Sequence, residues 1–230
     1  MRLFSYCIPI DDGAAPNPYW GKCTLVICKP RIRSVARKGD WVVGLGGKNV
    51  NGTDYSGKVV YAMKITKTMT MSEYDEYCRN YLPNKIPDLN DHDYRRKVGD
   101  CIYNFRSNLA GDLRPSVHNE ENRSTDLSGI NALVSDHFYY FGKNAISLDK
   151  SLSSIIIQGQ SHKSDKNELY KVRFVEWIEN IRYVLNSING EPQIKLGFLK
   201  NTQSGEICAS IRCKSAEKEE ESDQGHITLC

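Results

Sequence analysis

Three short runs of β-branched and aromatic residues crowd the start of the chain: Leu3 to Pro9, Cys23 to Cys28 and Asp40 to Gly46. Each is bounded by turn-forming residues and is too short for an amphipathic helix, so each reads as a strand. Between the first two lies DDGAAPNPYWG (Asp11 to Gly21), a loop whose Gly and Pro residues restrict its conformation. Between the second and third, PRIRSVARKGD opens on Pro30 and closes on Gly39, which suits one short helix. The stretch from Lys22 to Lys38 carries Lys22, Lys29, Arg31, Arg33, Arg37 and Lys38 and no acid. A rigid loop, a short apolar strand and a concentrated positive field suit an anionic ligand such as a nucleotide or a nucleic-acid backbone.

Further along, KNVNGTDYSG reads as a loop and Val60 to Ile65 alternate as a half-buried antiparallel strand. Ser72 is a candidate N-cap for a short helix, MSEYDEYCRNYL. Residues 82–100 and 107–129 are irregular and poor in large apolar side chains, with CIYNF between them as a short strand. Loops of that length are commonly functional or disordered. NALVSDHFYYFG (Asn131 to Gly142) and SIIIQG (Ser154 to Gly159) have strand composition. The clearest helix is Asn167 to Ile188, with Val172, Val175, Ile178, Ile181, Leu185 and Ile188 near helical period. Asp165 with Glu168 offers it a capping box and Gly190 a stop. IKLGFLK and EICASIRC read as terminal strands. Strands with one long helix and short ones predict an α+β class around a small mixed or barrel-like sheet.

The 230 residues suffice for one large domain, placed at 1–213, and 40% hydrophobic with 26% charged content excludes a wholly disordered chain. No apolar run approaches a membrane span, and MRLFSYCIPIDDG is too short and mixed for an export signal. The eight cysteines are irregularly spaced, which favours a reduced cytoplasmic protein over a disulfide scaffold. Residues 214–230 carry a net charge of −3 against +3 for the whole chain and read as an acidic disordered tail.

The residues DDGAAPNPYWGKCTLVICKPRIRSVARKGDWVVGLG, followed by YAMKITKTMTMSEY, SDHFYYFG and GQSHKS, resemble the second of the nucleotide-modification-associated domain families. The resemblance extends to about Tyr170 and implies a setting in DNA modification and phage–host conflict. GDWVVGLGG with KVVYAMKITKTMTMSEY also resembles, more weakly, the PUA, ASCH and EVE group of small β-barrels. That likeness implies a PUA-like mixed barrel and nucleobase binding.

Against this background several constellations stand out. In the Asp11–Pro18 loop, Asp12 is a candidate proton carrier and the Asn17 amide can read a base edge. Lys29, Arg31 and Arg33 suit phosphate. Trp41 can floor a base pocket, and Tyr139 can stack beside His137 on one strand face. His162 and Lys163 sit in a polar turn before the long helix, suited to an anion and proton transfer. Cys28, beside Lys29, reads first as a small buried hydrophobe; as a nucleophile it would need His137 or His162 brought to it by folding. His92 and His118 give no signal. Cys23 and Cys28 share a spacing with Cys208 and Cys213, but an i, i+5 pair in a strand faces opposite ways, so no metal is expected. No Walker loop, dinucleotide fingerprint, HExxH or nucleophile elbow is present, and no cofactor is expected.

The resulting expectation is a cytoplasmic protein that binds a nucleotide or a modified base in nucleic acid within a modification or phage-defence system. Its ligand contacts are Asn17, Lys29, Arg31, Arg33, Trp41, Tyr139 and Lys163. The first alternative is a nucleotide- or base-modifying enzyme using Asp12, His137 and His162 for proton transfer. The second is a DNA-docking adaptor for a modification or restriction enzyme.

Overall fold

The computed structural model describes residues 1–48, 52–157 and 161–196. The N-terminal runs form β1 (Leu3–Ile8), β2 (Cys23–Leu25) and β3 (Trp41–Gly46), with α1 (Pro30–Val35) between the last two. β4 (Lys58–Lys64), β5 (Lys67–Thr70) and α2 (Met71–Tyr81) follow. Short elements come next: α3 (Tyr94–Lys97), β6 (Tyr103–Asn104), β7 (Asp112–Leu113) and α4 (Arg123–Ser128). The described chain ends with β8 (Asn131–Ser135), β9 (Phe138–Tyr140), β10 (Ile146–Ser147), β11 (His162–Lys163), α5 (Lys171–Glu179) and β12 (Ser187–Ile188).

A seven-stranded mixed sheet has the order β11-β1-β3-β4-β9-β12, with β10 also paired to β4. β1 and β3 run parallel, as do β9 and β12, while β3–β4 and β4–β9 are antiparallel. A second, antiparallel sheet has the order β2-β8-β5. Period-two alternation sorts the large sheet into two apolar faces. Leu3, Trp41 and Val43 point to one side, where Leu152, Ile155 and, from α5, Phe174 and Ile178 cover them. Phe4, Tyr6 and Val42 point to the other, against Leu25 and Leu133 of the small sheet and Ile32 of α1. The far face of the small sheet, with Met69, Ala132 and Val134, packs on Tyr74 and Cys78 of α2 and on Val98–Tyr103. The order is therefore helix, large sheet, small sheet, then α2 with the irregular segment.

The mixed α/β architecture matches the α+β expectation, but no closed barrel forms among the described strands: the large sheet is an open path ending at β11 and β12. Residues 131–142 form two strands instead of one. Ser135 accepts the His137 N–H at 3.0 Å on its Oγ, and this turn passes the chain from the small sheet into the large one. The long helix expected over Asn167–Ile188 is only α5; Asn180 closes it and Asn186 turns left-handed at φ 59°. The reason is the free edge of β9, which captures Ser187–Ile188 as a parallel strand while Asn186 Oδ1 accepts the Phe138 N–H at 3.0 Å. Ser154–Ile155 belong to a 3-10 turn, capped by Asp149, in place of a strand. α2 is capped by Thr70, two residues ahead of Ser72, in a reciprocal box with Glu73. EICASIRC, residues 214–230, most of IKLGFLK, and residues 49–51 and 158–160 lie outside the described residues, so the expectations placed on them do too. No described helix is long and apolar enough to cross a membrane.

Candidate functional site

β2 runs into the core through Val26 and Ile27, and then the backbone reverses at Cys28 (φ 59°) and Lys29 (φ 45°) before Pro30 opens α1. Two consecutive non-glycine residues in the left-handed region cost on the order of 1–3 kcal/mol each, so the surroundings must hold them. Arg33 does much of that holding. Its fully buried guanidinium donates from Nε to the Cys28 carbonyl at 2.7 Å and from Nη1 to the Asn131 carbonyl at 3.0 Å. It also donates to the carbonyls of Gly129 and Asp126. One planar fork thus joins the Cys28 turn, α4 and the start of β8. Burial brings the Arg33 pKa down to about 10, still far enough above neutrality to keep the charge.

Asp126 of α4 faces the same turn. Its Oδ1 accepts the Cys28 N–H at 3.1 Å, and its Oδ2 accepts the Tyr103 hydroxyl at 3.1 Å. His118 Nδ1 lies 2.6 Å from that same Oδ2, and His118 Nε2 lies 3.8 Å from Cys28 Sγ. His118 and Asp126 are buried, whereas Cys28 is half-buried. Burial opposes charge on Asp126, but the His118 charge and hydrogen bond, with Arg33 and the Cys28 N–H, hold its carboxyl below the usual range. Burial likewise pulls the His118 pKa down. The Asp126 carboxylate more than reverses it and, with Cys28, holds the imidazole well above its usual value. Burial and the Asp126 charge push the Tyr103 phenol up, so it stays a donor. The arrangement sets a thiol against an imidazole that a buried carboxylate orients and keeps charged, the components that thiol chemistry uses.

Gly129 leaves the space that Arg33 fills: a Cβ there would sit 2.5 Å from the guanidinium carbon and 2.6 Å from the Pro30 Cα. The second contact is backbone and cannot swing aside. Gly129→Ala is therefore expected to destabilise the fold by about 1–3 kcal/mol, read by urea denaturation. A stability unchanged from the parent would show that Arg33 is not clamped there.

The residues favoured from sequence fall in four separate places. In the Asp11–Pro18 loop, the buried Asp12 Oδ1 accepts the Ala14 N–H at 3.1 Å. Asn17 is buried, with Nδ2 donating to the Val98 carbonyl at 2.9 Å and Oδ1 accepting from Lys85 at 2.7 Å. Its amide is thus engaged by the protein at both ends. A second group lies under α5: Trp41 is fully buried, edge-on to His137 and Phe174, and Tyr139 is buried on the same sheet face. There His137 Nε2 stands 3.2 Å from Glu179 Oε1. The third group is β11, where the His162 ring lies tilted at 42° to the Phe4 ring with centroids 6.3 Å apart, and Lys163 donates to the Ser154 and Ile156 carbonyls. Of the basic trio, Arg33 is the buried clamp, and Lys29 is buried with its ammonium 5.0 Å from the Tyr6 ring centre. Arg31 is half-buried on α1. Cys28 is drawn to His118, not to His137 or His162. His118, Asp126 and Tyr103 carried no motif in the sequence; the one pointer was the long, weakly apolar stretch that contains two of them. Among the described residues no cluster of three or more His, Cys, Asp or Glu is placed to hold a metal ion. Cys208 and Cys213 lie outside the described residues.

Fold and site together define a mixed α/β protein with a thiol–imidazole–carboxylate constellation on a strained strand-to-helix turn. The chain belongs to the family of nucleotide modification associated domain 2, whose model matches residues 1–198, and this associates it with nucleotide modification. No curated protein and no solved structure matches it.

Proposed function

We propose that this chain is a thiol enzyme of a nucleotide-modification system, with Cys28 as nucleophile, His118 as proton carrier and Asp126 as the residue that orients it. The observation that carries this reading is the continuous contact from Cys28 Sγ through both His118 nitrogens to Asp126 Oδ2. The substrate class is a nucleotide or base whose modifying group presents an acyl or amidine carbon. The reacting pair is the Cys28 thiolate with the His118 imidazolium, the form that the raised His118 pKa favours. Sγ attacks that carbon and Nε2–H gives its proton to the departing heteroatom, leaving a thioester or thioimidate and a neutral imidazole. Water or an amine then attacks the same carbon, gives its proton to Nε2 and releases Cys28 as the thiolate, which restores the starting pair. Arg33 and Tyr103 are positioning residues, holding the Cys28 turn and the Asp126 carboxylate. A modification or restriction enzyme would be the partner in such a system, phage defence included.

Iodoacetamide labelling of the native protein, mapped by mass spectrometry, tests the nucleophile. Cys28 is expected to label at least tenfold faster than Cys7, which is also half-buried but whose thiol is pushed up by burial. Equal labelling of the two would remove the basis for this reading.

A further inference from the structure

Lys22 at the start of β2, Lys38 after α1 and Lys67 of β5 converge on an open groove of about 450 Å³ beside Tyr77 of α2. Lys22 and Lys38 open and close the basic run seen in the sequence, while its middle members Lys29 and Arg33 are buried. Folding has thus split that run and brought a cation from β5 to its outer ends. Asp136 is the acid lining the groove, and it pairs with Lys22 at 3.0 Å. Glu73, whose carboxyl feels Lys67, is engaged in the capping box of α2. Two lysines of the lining, Lys38 and Lys67, therefore remain as exposed positive charge beyond the Lys22–Asp136 pair.

An aromatic surface adjoins them. The Lys67 ammonium stands 4.9 Å from the Tyr77 ring centre, and Tyr77 lies 5.4 Å from Tyr81 at a 38° tilt. Tyr81 is 72% exposed, at the C-terminal end of α2. Cations tracking phosphates next to rings that stack on bases are the physical signature of single-strand binding. Lysines alone would suit any anion; the tyrosine pair selects an anion attached to a flat ring.

We propose that this groove docks single-stranded nucleic acid, with Lys38 and Lys67 on successive phosphates and a base stacked on Tyr81. The Cα atoms of Lys22 and Cys28 lie within about 20 Å of each other, the reach of six extended residues. The docking site nevertheless stands independently of the thiol chemistry and does not require it.

The test is fluorescence anisotropy of a labelled oligothymidylate against the full-length protein over a salt series. The parent protein is expected to bind at low salt. Lys38→Gln with Lys67→Gln should weaken binding at least tenfold and flatten the log–log salt slope by about 1.4, the value for two lost single-strand phosphate contacts. Tyr81→Ala, at an exposed position, should weaken it about fivefold or more. Asp136→Asn frees Lys22 and should tighten binding, a gain that misfolding cannot mimic. Absence of binding at low salt, parental affinity in the lysine double variant, or displacement by thymidine monophosphate at equal phosphate concentration would overturn the proposal. The last result would make the groove a free-nucleotide site.

Discussion

Replacing His118 with Asn is expected to slow alkylation of Cys28 about a hundredfold, the low end of what a positioned proton carrier contributes. Asn keeps an amide near Asp126 Oδ2 but presents no titrating nitrogen to Sγ. The change should also leave a signature in stability. The folded-state pKa of His118 is raised above its usual 6.5, so its contribution is complete below that value and is lost as pH rises through the folded value. Asp126 is depressed below its usual 3.8, so its contribution is present above that value and lost as pH falls through the folded one. The pair therefore stabilises most between about 3.8 and 6.5. Tyr103, Arg33 and Cys28 are the other titratable or charged groups against it. The stability lost in His118→Asn, from urea titrations across pH, should be greatest in that window and shrink at alkaline pH. A loss that does not vary with pH would mean that His118 and Asp126 are not an ion pair, and unchanged alkylation would remove His118 from the mechanism.

The sequence displayed the strands of this protein more openly than its chemistry. β1, β3 and β4 were legible because each alternates or runs apolar between turn residues, and a strand of that kind needs only a face to bury. α5 was over-read. Val172, Leu185 and Ile188 keep helical spacing, yet Val172 is 57% exposed, and Ile188 pairs with Tyr140 in β12. A tertiary edge outweighed a local period there. The barrel was inferred from likeness in one hairpin, which does not determine how a sheet ends. The basic run misled in a different way: Arg33 is as basic in sequence as Lys38, but four backbone carbonyls around one guanidinium are invisible until residues 28, 126, 129 and 131 meet. Cys28 and His118 are likewise joined by packing, across ninety positions without a motif.

The largest loss of stability is expected at a lysine that sequence reading passed over. Lys85 is fully buried in a 3-10 turn at Pro83–Lys85, and the three N–H groups of its ammonium are shared among four acceptors: the Asn17 carbonyl at 2.8 Å, Asn17 Oδ1 at 2.7 Å, the Lys22 carbonyl at 3.0 Å and Thr24 Oγ1 at 2.8 Å. The Thr24 hydroxyl donates in turn to Asp100, which also accepts from Tyr74 at 2.7 Å. Burial pushes the Asp100 carboxyl up, and the Lys85 charge is the leading influence that favours its ionised form. Lys85→Met fills the volume but leaves that carboxylate uncompensated and Asn17 Oδ1 short of its closest donor. A cost of about 3–5 kcal/mol is expected, measured by urea unfolding at neutral pH. Asp100→Asn removes the stranded charge, so the double variant should lose less than the two single losses added together. Strict additivity would show that the lysine and the aspartate act separately. Because this network ties the Asn17 loop to β2, and β2 leads through Val26 and Ile27 into the Cys28 turn, the folded fraction of Lys85→Met should also label more slowly at Cys28. Parental labelling in that fraction would locate the rigidity of the turn in the Arg33 clamp alone.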